Sequence, residues 1–482
     1  MSSPSSRAPW PASQHAAGAS ANFVDELRLF LPTPRLTFAP GATTVRAPMV
    51  PLSAPMLARL DALPPDALVA VTAALDPATA ATTTVAAPSI HWSTDADGAT
   101  DAWGAAVTLD GPSLAALAPA VRRALASVTH LSDHADVAPP RMFGGQCFDP
   151  ARSHADDPAW AGTPGARMVL PTWARTVHRG RALVQWAGPA AEARALRWGL
   201  PHGVNTAPAA PAARAPDPAA HDLWTALVRD ALAAVSDGAV AKLVGARRVR
   251  WTRPGPWPLA EVLAGLPVHD GARFAMTLAP DVVFVGATPE RLVLRRGDAV
   301  EVDALAGSLP RGADDPSAIA ALLASAKDRH EHALVVTFIA DALRSLGLAV
   351  SHDPVPSVRS LPSVHHLWTP VRAHASPAPD ALTLAAALHP TPAVAGSPRD
   401  AALRWIARRE TAPRGWYAGA LGWCDARGDG CFVVTLRSAV IRGGEAWAYV
   451  GAGLVPGSDP EAEWRETEAK LRTARVALEG PR

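Results

Sequence analysis

Tyr449–Leu471 reads YVGAGLVPGSDPEAEWRETEAKL, and the rest of the chain is organised around it. An apolar strand end runs into Gly451-Ala452-Gly453, a turn follows, and a helix opens at Asp459-Pro460. Ser458 with Glu461 three residues on makes a capping box, and Pro460 suits the first helical turn. Inside that helix Glu463, Glu466 and Lys470 stand at i, i+3 and i+7, so all three project from one face. Two carboxylates and an ammonium beside a glycine turn suit a site holding a divalent cation and an anionic substrate. The same spacing also suits a solvated helix with an ordinary Glu466–Lys470 ion pair. Composition bears on that choice. Lysine occurs only at Lys242, Lys327 and Lys470, against abundant arginine. Arg can replace Lys on a wetted surface at little cost, but not where a compact ammonium or a titratable amine is needed. The three retained lysines therefore mark candidate chemistry.

The chain has 482 residues, 49% of them hydrophobic, which is ample for a large core or two domains. Its net charge of +1 and charged fraction of 18% imply no basic face for nucleic acid or an anionic membrane. Cys147, Cys424 and Cys431 are few and scattered, which argues against a disulfide scaffold or a structural zinc site and suits a reducing cytosol. No secretory leader opens the chain and no long apolar run occurs, so the expectation is a soluble cytoplasmic protein.

Residues 1–22 are Ser/Ala/Pro-rich and read as a disordered tail. Residues 23–215 show strands at Ala67–Leu75 and loosely at Val85–Trp92, a helix at Ser113–Val128 and a hairpin within Met168–Ala187. No chemical motif stands out in this half, which reads as architectural. A Pro/Ala linker over 205–219 marks the boundary to a motif-dense region, 216–482. There His221–Val235 is an amphipathic helix with Leu223, Leu227, Ala231 and Val235 on one stripe. The strand Val240–Val249 carries Lys242, which also reads as an ordinary strand-edge lysine. Met276–Val285 is a strand ending at Glu290, a turn carboxylate whose apolar flanks can raise its pKa; pairing with Arg291 is the plainer reading. Ala306–Gly312 reads as a turn able to hold an anion. Lys327–Leu346 is a helix with Asp328 and Glu331 near its start, where acidic residues also simply complement the helix dipole. Leu334, Val335, Phe338 and Ile339 form its buried side. Gly415–Trp423 and Cys431–Ile441 read as paired antiparallel strands, with Arg437 buried in the second and in need of an anionic partner.

Taken together, the blocks VAKLVGARRV, FVGATPERLV, ALAGSLPRG, SAKDRHEHALVV, HLWTP, LHPTPAVAGSPRDAAL, RGWYAGALGW, VTLRSAV and GAGLVPGSDPEAEWRETEAKL resemble the chorismate-utilising enzymes, most closely the isochorismate synthases. The resemblance spans about residues 220–475, with weaker echoes in FGGQCFDP and MVLPTW upstream. It implies one large α+β fold of mostly antiparallel sheets facing each other with helices outside. The linker would then be a surface connection within that fold.

The resemblance also implies roles. Chorismate would become isochorismate by addition of water at C2 and loss of the C4 hydroxyl. Lys242 would be the base, a role open to an amine that ordinarily titrates at ~10.4 only if burial or a neighbouring cation such as Arg247 lowers that value. Glu290 would be the acid. Mg²⁺ would be held directly by Glu331 and Glu466, with Asp328 and Glu463 contacting through water. Arg437, Lys470, the Gly451 amide and Tyr417 would meet the enolpyruvyl carboxylate, Gly307 and Ser308 would offer backbone donors, and His366 would face the ring. Ala393, in HPTPAVAG, stands where salicylate synthases carry threonine and favours isochorismate release. Lys327 takes a structural ion pair. No glutaminase subunit is implied, and the chain is expected as a monomer or weak homodimer. Salicylate synthase is the alternative within the family. A degenerate, non-catalytic metabolite binder is the alternative outside enzymes, and its signature would be loss of Lys242, Glu290, Glu331 or Glu466.

Overall fold

The lysine-bearing strand runs Lys242–Thr252, and its place in the sheet explains much of the fold. In the computed structural model the described residues are 53–75, 87–134, 137–152, 154–195, 211–267, 271–312, 314–361 and 364–480. The residues expected as a tail, 1–22, lie outside them. Glu445–Leu454 pairs antiparallel along nearly the whole of the Lys242 strand. Ser438–Arg442, Val282–Thr288 and Ala272–Ala279 follow in order. The same sheet then continues into strands from before the linker: Ile90–Thr94, Gly98–Trp103, Trp173–His178, Arg181–Pro189, Leu68–Leu75 and Thr129–Ser132. Only that last pairing is parallel among the described strands.

The second sheet has the same mixed origin. Val364–His374, Ala299–Pro310, Arg291–Arg296, Gly430–Val434 and Ala420–Asp425 lie in order, and Arg141–Gln146, Ala166–Leu170 and Val107–Gly111 extend it. The fold is thus α+β with mostly antiparallel sheets facing each other and helices outside. Strands from both sides of residues 196–210 share both sheets, and the described residues belong to one compact unit.

Several local readings need correction. Met276–Val285 is two strands, Ala272–Ala279 and Val282–Thr288, joined as a hairpin. The hairpin expected within Met168–Ala187 covers only Trp173–Pro189, with Arg179 and Gly180 at positive φ in its turn; Ala166–Leu170 joins the other sheet. Ala306–Gly312 is not a free turn, because the strand Ala299–Pro310 runs through it with a bulge at Gly307, φ +76°. The backbone there needs glycine. Cys431–Ile441 is also two strands: Gly430–Val434 pairs with Ala420–Asp425, and Ser438–Arg442 belongs to the opposite sheet. Arg437 therefore sits in the crossing, with φ +48°.

The helix before the lysine strand, Ala220–Ser236, buries Trp224, Val228, Ala231 and Val235. Leu223 is 54% exposed, because the stripe is turned by one residue to seat the larger indole. The helix Ala326–Ser345 buries Glu331, His332, Val335, Val336, Ile339, Ala340 and Leu343, leaving Leu334 and Phe338 half-buried. The final helix, Pro460–Glu479, begins on Pro460 as expected, but Asp459 is its N-cap and accepts from the Ala462 amide at 2.9 Å. Ser458 instead closes the preceding turn, accepting from the Val455 amide. No described helix is long and apolar enough to cross a membrane.

Candidate active site

The chain crosses between the sheets at Pro289-Glu290, after Val282–Thr288, and crosses back at Thr435–Arg437. The two crossings are laced together: the Val434 amide donates to the Glu290 carbonyl at 3.0 Å, and Thr288 Oγ1 donates to the Val434 carbonyl at 2.6 Å. Beside this seam lies a cavity whose empty space, counting the part open to solvent, is about 930 Å³. Its wall includes Glu290, Gly307, Ser308, Asp328, Glu331, His366, Ala393, Tyr417, Arg437, Gly451, Glu463, Glu466 and Lys470. Residues expected from distant motifs thus meet in one place.

Lys242 lies just behind that wall. Its side chain is wholly buried, so the strand-edge reading fails. Nζ stands 2.8 Å from Glu331 Oε1, a buried ion pair. Gly453 makes room for this pair, since a Cβ there would lie 2.3 Å from Glu331 Oε1 and 3.4 Å from Lys242 Cε. Gly453→Ala is expected to push Glu331 away and cost about 1–3 kcal/mol by overpacking, read as a lower urea midpoint. Unchanged stability would mean the carboxylate has somewhere else to go. Arg247, offered as a neighbouring cation for Lys242, is not one. It is five residues along a strand and so on the opposite face, where it donates to Thr467 and Glu468 and stacks over Trp464.

Burial pushes the Glu290 carboxyl up to about 8, against the opposing pull of the Lys242 ammonium. A carboxyl of that kind keeps its proton at neutral pH and can give it away. Burial, with Arg437 and Lys470 adding to it, holds His366 well below the ordinary imidazole value, so its ring is neutral. His366 Nδ1 and Ser308 Oγ are 2.8 Å apart. Burial brings the Arg437 guanidinium down to about 10, still cationic at neutral pH. Its buried Nη2 has no protein partner among the described residues. A buried cation without a counter-charge is costly, and an anionic ligand would supply one.

All three lysines serve this cavity. Lys242 pairs with Glu331, Lys327 with Glu463 at 3.0 Å, and Lys470 with Glu466 at 2.6 Å. Lys470 also donates to the Gly451 carbonyl at 3.0 Å. The Glu463 carboxyl is raised by burial and by the nearby charge of Glu466. Asp328 is hydrogen-bonded to the Ser325 hydroxyl. The donor chemistry is right for a hard cation, because the set offers carboxylate oxygens only. No three described acidic, His or Cys side chains form a ready-made coordination sphere, however; Glu331, Glu463 and Glu466 are each paired with a lysine. A cation entering here would take over those contacts.

The sequence reading missed Tyr449. It lines the cavity, stacks on Tyr417 with centroids 5.3 Å apart, and accepts from Trp160 Nε1 at 2.7 Å. The signal was available, because the chain contains only two tyrosines and both are in this stack. Arg414 and Val244 also line the cavity without having been singled out.

This fold and cavity define a class. The family described as chorismate binding enzyme matches residues 67–479, and the chain belongs to it. Among its relatives, a salicylate biosynthesis isochorismate synthase of Pseudomonas aeruginosa is 41% identical over 360 residues, covering 70% of this chain and 74% of the relative. Isochorismate synthase DhbC of Bacillus subtilis is 42% identical over 263 residues, covering 52% and 66% respectively. The solved structure of MenF, the menaquinone-specific isochorismate synthase of Escherichia coli, superposes with a TM-score of 0.70 at 26% identity, covering 88% of this chain and 98% of that one.

Proposed function

We propose that the protein is an isochorismate synthase, an isomerase that converts chorismate to isochorismate. The observation that carries this is the pairing of a fully buried amine, Lys242, with a buried carboxyl that holds its proton, Glu290, about one cavity that also presents Arg437 Nη2 with no partner among the described residues. Lys242 in its neutral amine form takes a proton from water as its oxygen bonds to C2. The ring double bonds shift, the C4–O bond breaks, and Glu290 protonates the departing hydroxyl, so one water enters and one leaves. The ammonium and carboxylate left behind exchange the proton before the next turnover. Each proton transfer of this kind contributes typically ~10²–10⁴ in rate.

Arg437 and Lys470 neutralise the side-chain carboxylate of the substrate, with Tyr417 and the Gly451 backbone beside it. His366, being neutral, offers a hydrogen bond at the ring without adding charge, and Gly307 and Ser308 line the same wall. Mg²⁺ would be held by Glu331 and Glu466, with Asp328 and Glu463 contacting it through water, and would supply charge neutralisation for the ring carboxylate. Chelation is expected to abolish turnover while leaving the unfolding temperature of the substrate-free protein nearly unchanged, since lysines satisfy the carboxylates without metal. Full activity in excess chelator would remove the metal from this scheme. Ala393 leaves the wall apolar where a hydroxyl would help pyruvate leave, so the product is released as isochorismate.

The test is incubation with chorismate and Mg²⁺ followed by chromatography. Isochorismate alone supports the reading; salicylate with pyruvate would make the protein a salicylate synthase, and no turnover would leave a metabolite binder. Action in the cytoplasm without a glutaminase subunit is part of the same proposal.

A further inference from the structure

We propose that Arg414 and Glu410 are a positioning pair that holds the base strand against the Ala393-Val394 wall, a role that rests on the function proposed above. The Lys242–Thr252 strand has one edge paired with Glu445–Leu454 from Leu243 to Thr252. Among the described residues its other edge meets strands only at its ends: Lys242-Leu243 with Gly396–Ser397, and Trp251-Thr252 with Ala213–Arg214. After the Val244 amide, which donates to the Ala395 carbonyl at 3.0 Å, the ladder stops. Two side chains continue it. Arg414 Nη2 donates to the Val244 carbonyl at 2.7 Å, and Glu410 Oε1 accepts from the Ala246 amide at 2.9 Å. These are the donor and acceptor that a neighbouring strand would have presented.

The same guanidinium ties in the opposing wall, because Nη1 donates to the Val394 carbonyl at 2.7 Å. Glu410 holds it through Nε and Nη2, the latter at 2.6 Å, and the Phe148 ring lies 4.3 Å from its Cζ. Arg414 is 3% exposed and Glu410 7%. An ion pair so buried is weak evidence of stabilisation, since desolvation consumes most of the attraction. What it does achieve is geometric. One planar fork fixes the strand two residues beyond Lys242 and the loop carrying Ala393 at the same time.

Arg414→Lys keeps the charge beside Glu410 but cannot bond both carbonyls and the carboxylate in one plane. In the full-length protein, hydrogen exchange is expected to rise in segments 242–246 and 393–397 and to stay at wild-type levels in the Ala326–Ser345 helix. kcat for chorismate is expected to fall about 10- to 100-fold with KM nearly unchanged. Glu410→Met/Arg414→Met removes both charges and gives a folded second case, in which the same two segments loosen and kcat falls while the unfolding temperature holds. Wild-type exchange in both segments, or kcat restored in the double variant, would overturn the inference. If the wild-type protein does not turn over chorismate, the proposed function falls, and the exchange comparison alone still decides the positioning role.

Discussion

Lys242→Met is expected to lower kcat for chorismate by about 10²–10⁴ with substrate binding largely retained. The amine is buried behind the cavity and makes no contact with its mouth, so its loss removes a proton acceptor and not a docking surface. A second effect follows from the same geometry. Glu331 would be left buried beside a thioether, and breaking a buried ion pair from one side costs about 3–5 kcal/mol. Stability and rate must therefore be measured together. Lys242→Met/Glu331→Gln neutralises the stranded carboxylate and should recover much of the stability without recovering turnover. A folded Lys242→Met variant with wild-type kcat would disprove the base assignment.

Glu290→Gln is expected to match that loss in kcat while changing stability in a pH-dependent way. The amide it introduces has the same shape and can donate a hydrogen bond, but has no proton to give. In the wild type, burial raises the carboxyl from 4.5 to about 8, so the folded protein holds this proton more tightly than the unfolded chain. Between those two values the folded state binds the extra proton, and its stability falls as pH rises. Above about 8 the acid form is lost, and turnover should decline on that limb. The glutamine variant should lose the stability slope assigned to this group. A slope identical in the two proteins would show that Glu290 already titrates as an ordinary carboxylate.

The chemistry was far more legible in the sequence than the topology. Glu463, Glu466 and Lys470 could be placed on one helical face because helical periodicity is local. The scarcity of lysine pointed to a site, and each of the three lysines does pair with an acidic group on the cavity wall. The crossings at Glu290 and Arg437 were not legible. An apolar run such as Cys431–Ile441 gives the same alternation whether it stays in one sheet or passes to another, because strand partners are set by distant residues. For the same reason Lys242 read as an edge residue. Its burial depends on the helix carrying Glu331 and on the missing side chain of Gly453. Arg414 opens the block RGWYAGALGW and Glu410 lies just before it, but neither carried a chemical role in the sequence, and only the unfilled sheet edge gives them one.

The interleaving of early and late strands also bears on how such a chain is made. Ile90–Thr94 takes one of its neighbours from Ala272–Ala279, and Arg141–Gln146 takes one from Ala420–Asp425. On the ribosome, both strands emerge long before those partners exist. The nascent protein must therefore wait with open edges, a state that favours slow maturation and invites self-association until the last helix has been translated.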